Sequence, residues 1–184
     1  MNVVSVNVGL PREIEWRGRV IRTSIFKSPV PGSVRVQREN LEGDRQSDLA
    51  VHGGPGKAVY AYPAEHYASW KRELPELEFP WGAFGENLTL QGLLESEVRL
   101  GDRLRVGSAE FRVTQPRTPC YKLAARFGRA DMVRRFARSG RSGFYLAVLA
   151  EGAVAAGDPV SVLSRDEQQV SVADAAALSA AEEE

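Results

Sequence analysis

The strongest constraint on the fold is the punctuation of residues 98 to 163, where short β-prone runs are separated by tight glycine turns. Val98-Arg99-Leu100, Gly101-Asp102, Arg103 to Val106, Gly107-Ser108 and Ala109 to Gln115 read as a strand–turn–strand–turn–strand series. Within Glu110-Phe111-Arg112-Val113-Thr114, polar and apolar residues alternate, as a strand with one wetted face requires. Gly157-Asp158-Pro159 repeats the turn ahead of Val160 to Leu163, and Met1 to Val8 alternates in the same way. Phe144 to Leu149 is apolar throughout and reads as a strand buried on both faces. Many short strands with tight turns favour a barrel or curled sheet over a doubly wound α/β fold. The expected class is mainly β with peripheral helices (α+β).

Two helices interrupt the strands. Pro63 suits a first helical position, Tyr67, Trp70 and Leu74 follow at helical spacing, and Pro75 ends the run. Ala130 to Ser139 places Met132, Val133, Phe136 and Ala137 on one stripe, with Asp131 in the first turn and Gly140 just beyond. The arginines at 134, 135 and 138 lie off that stripe, open to solvent or ligand. Composition changes after Ser164: Gln168 to Ala181 is alanine-rich and Glu182-Glu183-Glu184 opposes a helix dipole. We therefore expect one domain over residues 1–164 and a short helical or partly ordered tail over 165–184.

The 184 residues suffice for a core without disulfide or structural metal, and one cysteine excludes both an internal disulfide and a Cys-rich zinc site. No apolar run approaches the roughly 20 residues that span a bilayer, and the start lacks a basic signal-peptide region. Cytoplasmic residence is expected, without membrane association. The chain has 24 basic and 24 acidic side chains, which argues against a nucleic acid polymer as partner. The charges are unevenly placed. Residues 115 to 141 hold eight Arg or Lys against the single Asp131. That run reads either as a solvated helix face or as part of a pocket for an anionic small molecule.

The run begins at Cys120, within Gln115-Pro116-Arg117-Thr118-Pro119-Cys120-Tyr121-Lys122. A thiol acts as nucleophile or metal ligand through its thiolate, which neighbouring cations favour. Otherwise a lone cysteine is a small core hydrophobe. A second string, Val51-His52-Gly53-Gly54-Pro55-Gly56-Lys57, lets backbone N–H groups approach a ligand with Lys57 just beyond them. It lacks the GK[ST] ending of a P-loop, and local sequence alone favours a tight glycine-rich turn between strands. His52 can ligate, shuttle a proton or bind an anion, whereas His66 packs within the first helix. A third string, Phe84-Gly85-Glu86-Asn87-Leu88, sets two polar residues at the start of a strand, in a binding or a turn role. Cys120 with His52 is the only attractive nucleophile–base pair for a hydrolase, and no nucleophile-elbow motif accompanies it.

Five strings in order resemble the MOSC domain family, named for the C-terminal domain of molybdenum cofactor sulfurases, and in particular its YiiM-like branch. They are Leu41-Glu42-Gly43-Asp44, Val51 to Gly54, Tyr62 to Tyr67, Phe84 to Leu88 and Gln115 to Leu123, within residues 20 to 163. The resemblance implies a curled MOSC-type β-barrel and a cysteine that contacts the molybdenum cofactor, a phosphate-bearing pterin dithiolene. It implies two-electron reduction of N-hydroxylated compounds such as hydroxylaminopurine-like bases, a detoxifying reaction fed by a separate electron-donor protein. On that basis Cys120 is the expected metal ligand, with Arg117 and Lys122 as electrostatic and proton-donating partners. His52, Gly53, Gly54, Lys57, Glu86 and Asn87 are the expected cofactor-binding residues. A homodimer is compatible with the resemblance. Two alternatives stand beside the reductase: a persulfide carrier using Cys120, and a non-catalytic cofactor delivery module.

Overall fold

The computed structural model describes residues 1–47 and 53–182. Its strands are β1 (Asn2–Val8), β2 (Arg12–Trp16), β3 (Arg19–Thr23), β4 (Ser28–Pro29), β5 (Val34–Val36), β6 (Val59–Pro63), β7 (Leu88–Gln91), β8 (Arg103–Val106), β9 (Ala109–Pro116), β10 (Phe144–Ala150), β11 (Gly152–Val154) and β12 (Val160–Ser164). The helices are α1 (Glu65–Glu73), α2 (Tyr121–Phe127), α3 (Met132–Ser139) and α4 (Val172–Glu182).

Eight strands form one sheet in the order β12-β8-β9-β10-β6-β7-β1-β4. All pairs are antiparallel except β6 with β7, which α1 connects as a crossover. The sheet curls far enough for its two ends to touch. The Val3 N–H donates to the Asp158 carbonyl at 2.9 Å, and the Val160 N–H to that of Met1 at 3.1 Å. Only the single bridge Asn2↔Pro159 joins β1 to the segment before β12, so the sheet remains open and is not a closed barrel.

Inside the curl lies an aliphatic core that includes Val6, Leu41, Leu88, Leu90, Leu104 and Leu146. Outside it, α1, α2 and α3 bury a second cluster of Tyr62, Tyr67, Trp70, Phe84, Phe127 and Phe136 against β6. The Trp70 indole N–H donates to the Tyr62 hydroxyl at 2.8 Å, so the polar ends of these rings are satisfied within the cluster.

Several local expectations change. Pro63 closes β6 rather than opening the helix, which starts at Glu65 after Ala64. The run at 98–100 is no strand: Arg99 makes one isolated bridge to Ser171, and the Val172 N–H donates to Val98. That bond anchors α4, whose Val172 is fully buried while Leu178 is exposed. β10 is buried on one face only: Phe144 and Leu146 are buried, whereas Tyr145 turns towards a cavity and Ala147 is only partly covered. α3 begins at Met132, with Asp131 as its N-cap residue. α2 and the β2–β3 hairpin are elements that periodicity did not suggest. The hairpin turns through Arg17 and Gly18, both in the left-handed region at φ 52° and 73°, a conformation costly for arginine.

Candidate functional site

A cavity opens between the β6–β10 face, the segment after β3 and the start of α2. Its described lining includes Ser24, Lys27, Asp44, Lys57, Tyr60, Asn87, Arg117, Cys120, Lys122 and Tyr145. Among the described lining residues four cations face one carboxylate, an excess of three positive charges in a partly enclosed space. Such a site concentrates anions.

Cys120 stands in extended backbone (φ −128°, ψ 175°) as the residue that caps α2, and its carbonyl accepts the Leu123 N–H at 2.9 Å. It is half-buried. The inner face of the short α2 comprises Lys122, Leu123, Ala124 and Phe127, so Lys122 is drawn inwards with the apolar residues. It is only 8% exposed and has no hydrogen-bond or ion-pair partner among the described residues. An ammonium at the cavity wall without a counter-charge leaves a place for an anionic ligand to supply one.

Arg117 follows directly on β9. Its Nη1 donates to the Phe84 carbonyl, and the guanidinium lies 4.9 Å from the Tyr60 ring and 5.6 Å from that of Phe136. Burial opposes its charge, but the Tyr60 and Tyr145 phenols and Cys120 outweigh burial and hold its pKa above the ordinary value. Arg117 is therefore a fixed cation at the back of the cavity. Burial raises the pKa of Tyr60 and Tyr145 despite the opposing Arg117 charge, so both remain neutral phenols. The Tyr60 hydroxyl donates to the Ser142 carbonyl at 2.7 Å, whereas the Tyr145 hydroxyl has no described partner.

On the opposite wall, the Lys27 ammonium lies 2.6 Å from Asp44 Oδ1, which also accepts the Gly9 N–H at 2.9 Å. Beside them the Ser24 hydroxyl is buried with no partner. An unsatisfied buried hydroxyl costs about 1–3 kcal/mol, which a ligand acceptor would recover.

The residues singled out in the sequence fall into three groups. Arg117, Cys120, Lys122 and Lys57 converge on the cavity, with the Lys57 ammonium 5.8 Å from the Tyr145 ring centre. Gly53 and Gly54 lead into a 3₁₀ turn, Pro55–Lys57, but do not line the cavity; Gly54 adopts φ 89° with open space where a side chain would project. His52 lies outside the described residues.

Asn87 and Glu86 hold the wall together. Asn87 Oδ1 accepts the Tyr60 N–H at 3.1 Å and Nδ2 donates to the Asn7 carbonyl at 3.3 Å, tying β6 to β1. Glu86 sits fully buried behind the lining. It accepts from the Tyr67 hydroxyl, the Gly82 N–H (3.0 Å), the Phe84 N–H (3.1 Å) and the Thr89 hydroxyl (2.9 Å). Burial raises its pKa, and these donors oppose the rise. It thereby fixes the loop whose Phe84 carbonyl receives Arg117. His66 binds Glu95 at 2.8 Å, remote from this lining, and Glu95 also accepts the Gly143 N–H at 2.7 Å.

Of the cationic run 115–141, only Arg117 and Lys122 reach the cavity. Sequence reasoning missed Ser24, Lys27, Tyr60 and Tyr145. Asp44 and Tyr60 lay within or beside the motif strings, but nothing local distinguishes Ser24 or Lys27. Among the described residues no group of His, Cys, Asp and Glu resembles a protein-only metal site, and no helix is long and apolar enough to cross a membrane.

Comparison with known proteins places this geometry. The MOSC domain model matches residues 48–161. The uncharacterized protein YflK of Bacillus subtilis is 47% identical over 93% of this chain and 77% of its own length. Protein YiiM of Escherichia coli is 43% identical over 85% of this chain and 70% of its own. A protein of Gibberella moniliformis named "Reductase" is 34% identical over 80% of this chain, which spans only 27% of that longer protein. Among solved structures, YiiM from Geobacillus stearothermophilus superposes with a TM-score of 0.81 at 36% identity, covering 98% of this chain and 84% of that one. The strings around Cys120, Glu86 and Gly54 thus sit in a shared fold, and the chain belongs to the MOSC domain family.

Proposed function

We propose that this chain binds a molybdenum cofactor in the Cys120 cavity and reduces N-hydroxylated compounds. The observation that carries the reading is the convergence of one sulfur, the unpartnered Lys122 side chain and an unpartnered buried hydroxyl on Ser24 in a cation-rich pocket. The fungal relative named a reductase supports an oxidoreductase.

The donor set fits a cofactor bearing both a soft metal and a phosphate. Thiolate sulfur is a soft ligand, so Cys120 would hold the metal, while ammonium and hydroxyl groups on Lys27, Lys122 and Ser24 would hold oxyanions. When bound, the group would supply two-electron reduction at the metal. The N–O bond breaks, two protons and two electrons are consumed, and amine and water leave; the electrons come from a separate redox protein. Arginine does not release its proton in proteins, so Arg117 supplies fixed positive charge near the departing oxygen. Lys122, which can give up a proton, is the donor to that oxygen, and Tyr145 offers a second hydroxyl to orient the substrate. Asn87 and Glu86 position the wall rather than touch the ligand.

The test is production in cells that make the cofactor, followed by metal analysis and turnover of an N-hydroxylated substrate with an artificial reductant. The reading expects molybdenum and turnover in the parent chain. It expects Cys120→Ala to lose turnover by about a thousandfold or more, the scale on which a residue acting in the transition state is felt, with the melting temperature unchanged. Metal without turnover would instead identify a delivery module. A cyanide-labile sulfur on Cys120, with neither metal nor turnover, would identify a persulfide carrier.

A further inference from the structure

The second half of the cationic run builds a cleft of its own. α1 and α3 border a surface cleft lined by Glu73, Asp131, Arg134, Arg135, Arg138, Ser139 and Arg141. Both carboxylates are already engaged. Asp131 accepts from Arg135 Nε at 2.6 Å and Arg129 Nε at 2.9 Å, and Glu73 accepts from Arg141 Nη2 at 2.6 Å. Arg134 and Arg138 have no hydrogen-bond or ion-pair partner among the described residues.

Arg141 is held in place before any ligand arrives. Its backbone N–H donates to the Ser139 hydroxyl at 3.1 Å, Ser139 donates to the Phe136 carbonyl at 2.7 Å, and Gly140 turns the chain at φ 68°. The guanidinium lies 4.9 Å from the Trp70 ring, one edge is spent on Glu73, and Nη1 is buried without a partner. A buried guanidinium N–H left unmade is costly, and its natural complement is an oxyanion, which guanidinium groups bind in a fork. The dipole of α3 accounts for a cation in its last turn, such as Arg138. It does not account for Arg134 or for the convergence of Arg134, Arg135, Arg138 and Arg141 on one concavity.

We propose that this α1–α3 cleft is a binding site for a small phosphate-bearing anion, separate from the Cys120 cavity. Arg141, held by Glu73 and the Ser139 turn, supplies the anchor, and Arg134 and Arg138 close around the phosphate oxygens. A concave site with a prepared inner donor fits a small ligand; a nucleic acid strand would instead be tracked by an open stripe of cations, which a neutral chain does not otherwise offer.

The experiment titrates inorganic pyrophosphate into the full chain carrying ¹⁵N-arginine, at constant ionic strength set with sodium chloride. Saturable movement of the Arg134, Arg138 and Arg141 side-chain signals is expected. Arg134→Gln/Arg138→Gln should weaken binding at Arg141 by about tenfold or more, the worth of one charged hydrogen bond. Lys122→Met, which alters the other cavity, should leave these signals and their affinity unchanged. Both arginines are exposed and unpartnered, so the double variant should fold; Arg138→Gln alone provides a second reading if it does not. Signals that fail to saturate, or that keep their affinity in the double variant, overturn the site. A single-stranded oligonucleotide that displaces pyrophosphate at lower concentration overturns the small-ligand assignment.

Discussion

The aliphatic core inside the sheet and the aromatic cluster outside it are comparably buried but built from different chemistry. Val6, Leu88, Leu104 and Leu146 belong to one cluster of apolar side chains, and their contribution scales with the area and volume they fill. Tyr62, Tyr67, Trp70 and Phe84 also carry polar handles or lie beside them, and the handles bond to groups that shape the cavity. Tyr67 donates to Glu86, Glu86 holds the Phe84 N–H, and the Phe84 carbonyl receives Arg117. Non-directional packing tolerates small shifts, whereas a hydrogen-bonded chain transmits them. One region stabilises the molecule; the other also decides where the guanidinium sits.

Leu104→Ala tests the first half of that contrast and should have the largest effect on stability. The side chain is fully buried on β8, so its truncation should cost about 2–5 kcal/mol by denaturant unfolding. Turnover per folded molecule should be unchanged, because β8 pairs with β9 and β12 and supplies no residue to the described cavity lining. A fall in specific activity equal to that of a wall variant would erase the distinction.

Glu86→Gln addresses the other half. Glutamine keeps the shape but places an amide donor where the carboxylate accepts, opposite either the Phe84 N–H or the Gly82 N–H. The clash should cost about 1–3 kcal/mol, less than Leu104→Ala at the upper end, yet it should depress activity further. The pH dependence has a defined sign. Burial raises the Glu86 pKa in the folded chain, so its contribution to stability is fully present below the unfolded carboxyl range, about 4.3. It is lost as pH rises through the folded value. Thermal melts between pH 4 and 8 should show that decline in the parent chain and a flatter profile in the variant.

Lys122→Met should act in the opposite direction. Removing an unpartnered buried ammonium from the ligand-free chain should raise stability by about 0.5–1 kcal/mol, while anion binding in the Cys120 cavity and turnover are lost. A destabilised variant would mean that Lys122 serves packing rather than ligand.

How much of this was legible in sequence follows from distance along the chain. Arg117, Cys120 and Lys122 fall within six residues, so their chemistry could be read together, and the turns at Gly101, Gly107 and Gly157 located the sheet strands around them. The opposite wall was hidden, because Ser24 and Lys27 reach Cys120 only through the curl of the sheet. α2 escaped because it is seven residues long, starts at a cysteine rather than a capping residue, and buries a lysine among its apolar positions. β10 looked doubly buried because Tyr145, which lines the cavity, and the partly covered Ala147 read as part of an unbroken hydrophobic run. The cationic run was read as one feature, and folding divides it between two faces of α2 and α3.

That division sets the smallest effect. Asp131 is held by Arg129 and Arg135 hydrogen bonds, which lower its pKa well below the usual carboxylate range. A depressed carboxyl contributes stability above its unfolded value, about 3.9, and loses it as pH falls through the folded value. The group is exposed and the pairs are screened, so the contribution is small and should shrink further in salt. Asp131→Asn should therefore leave the melting temperature at pH 7 nearly unchanged in 0.5 M sodium chloride, lower it slightly at low salt, and reduce the acid-side loss below pH 4. Because Asp131 neutralises Arg135 at the rim of the α1–α3 cleft, the same variant should also tighten pyrophosphate binding there while leaving the Cys120 cavity untouched. An equal change at both sites would mean that the two halves of the cationic run still act as one electrostatic surface.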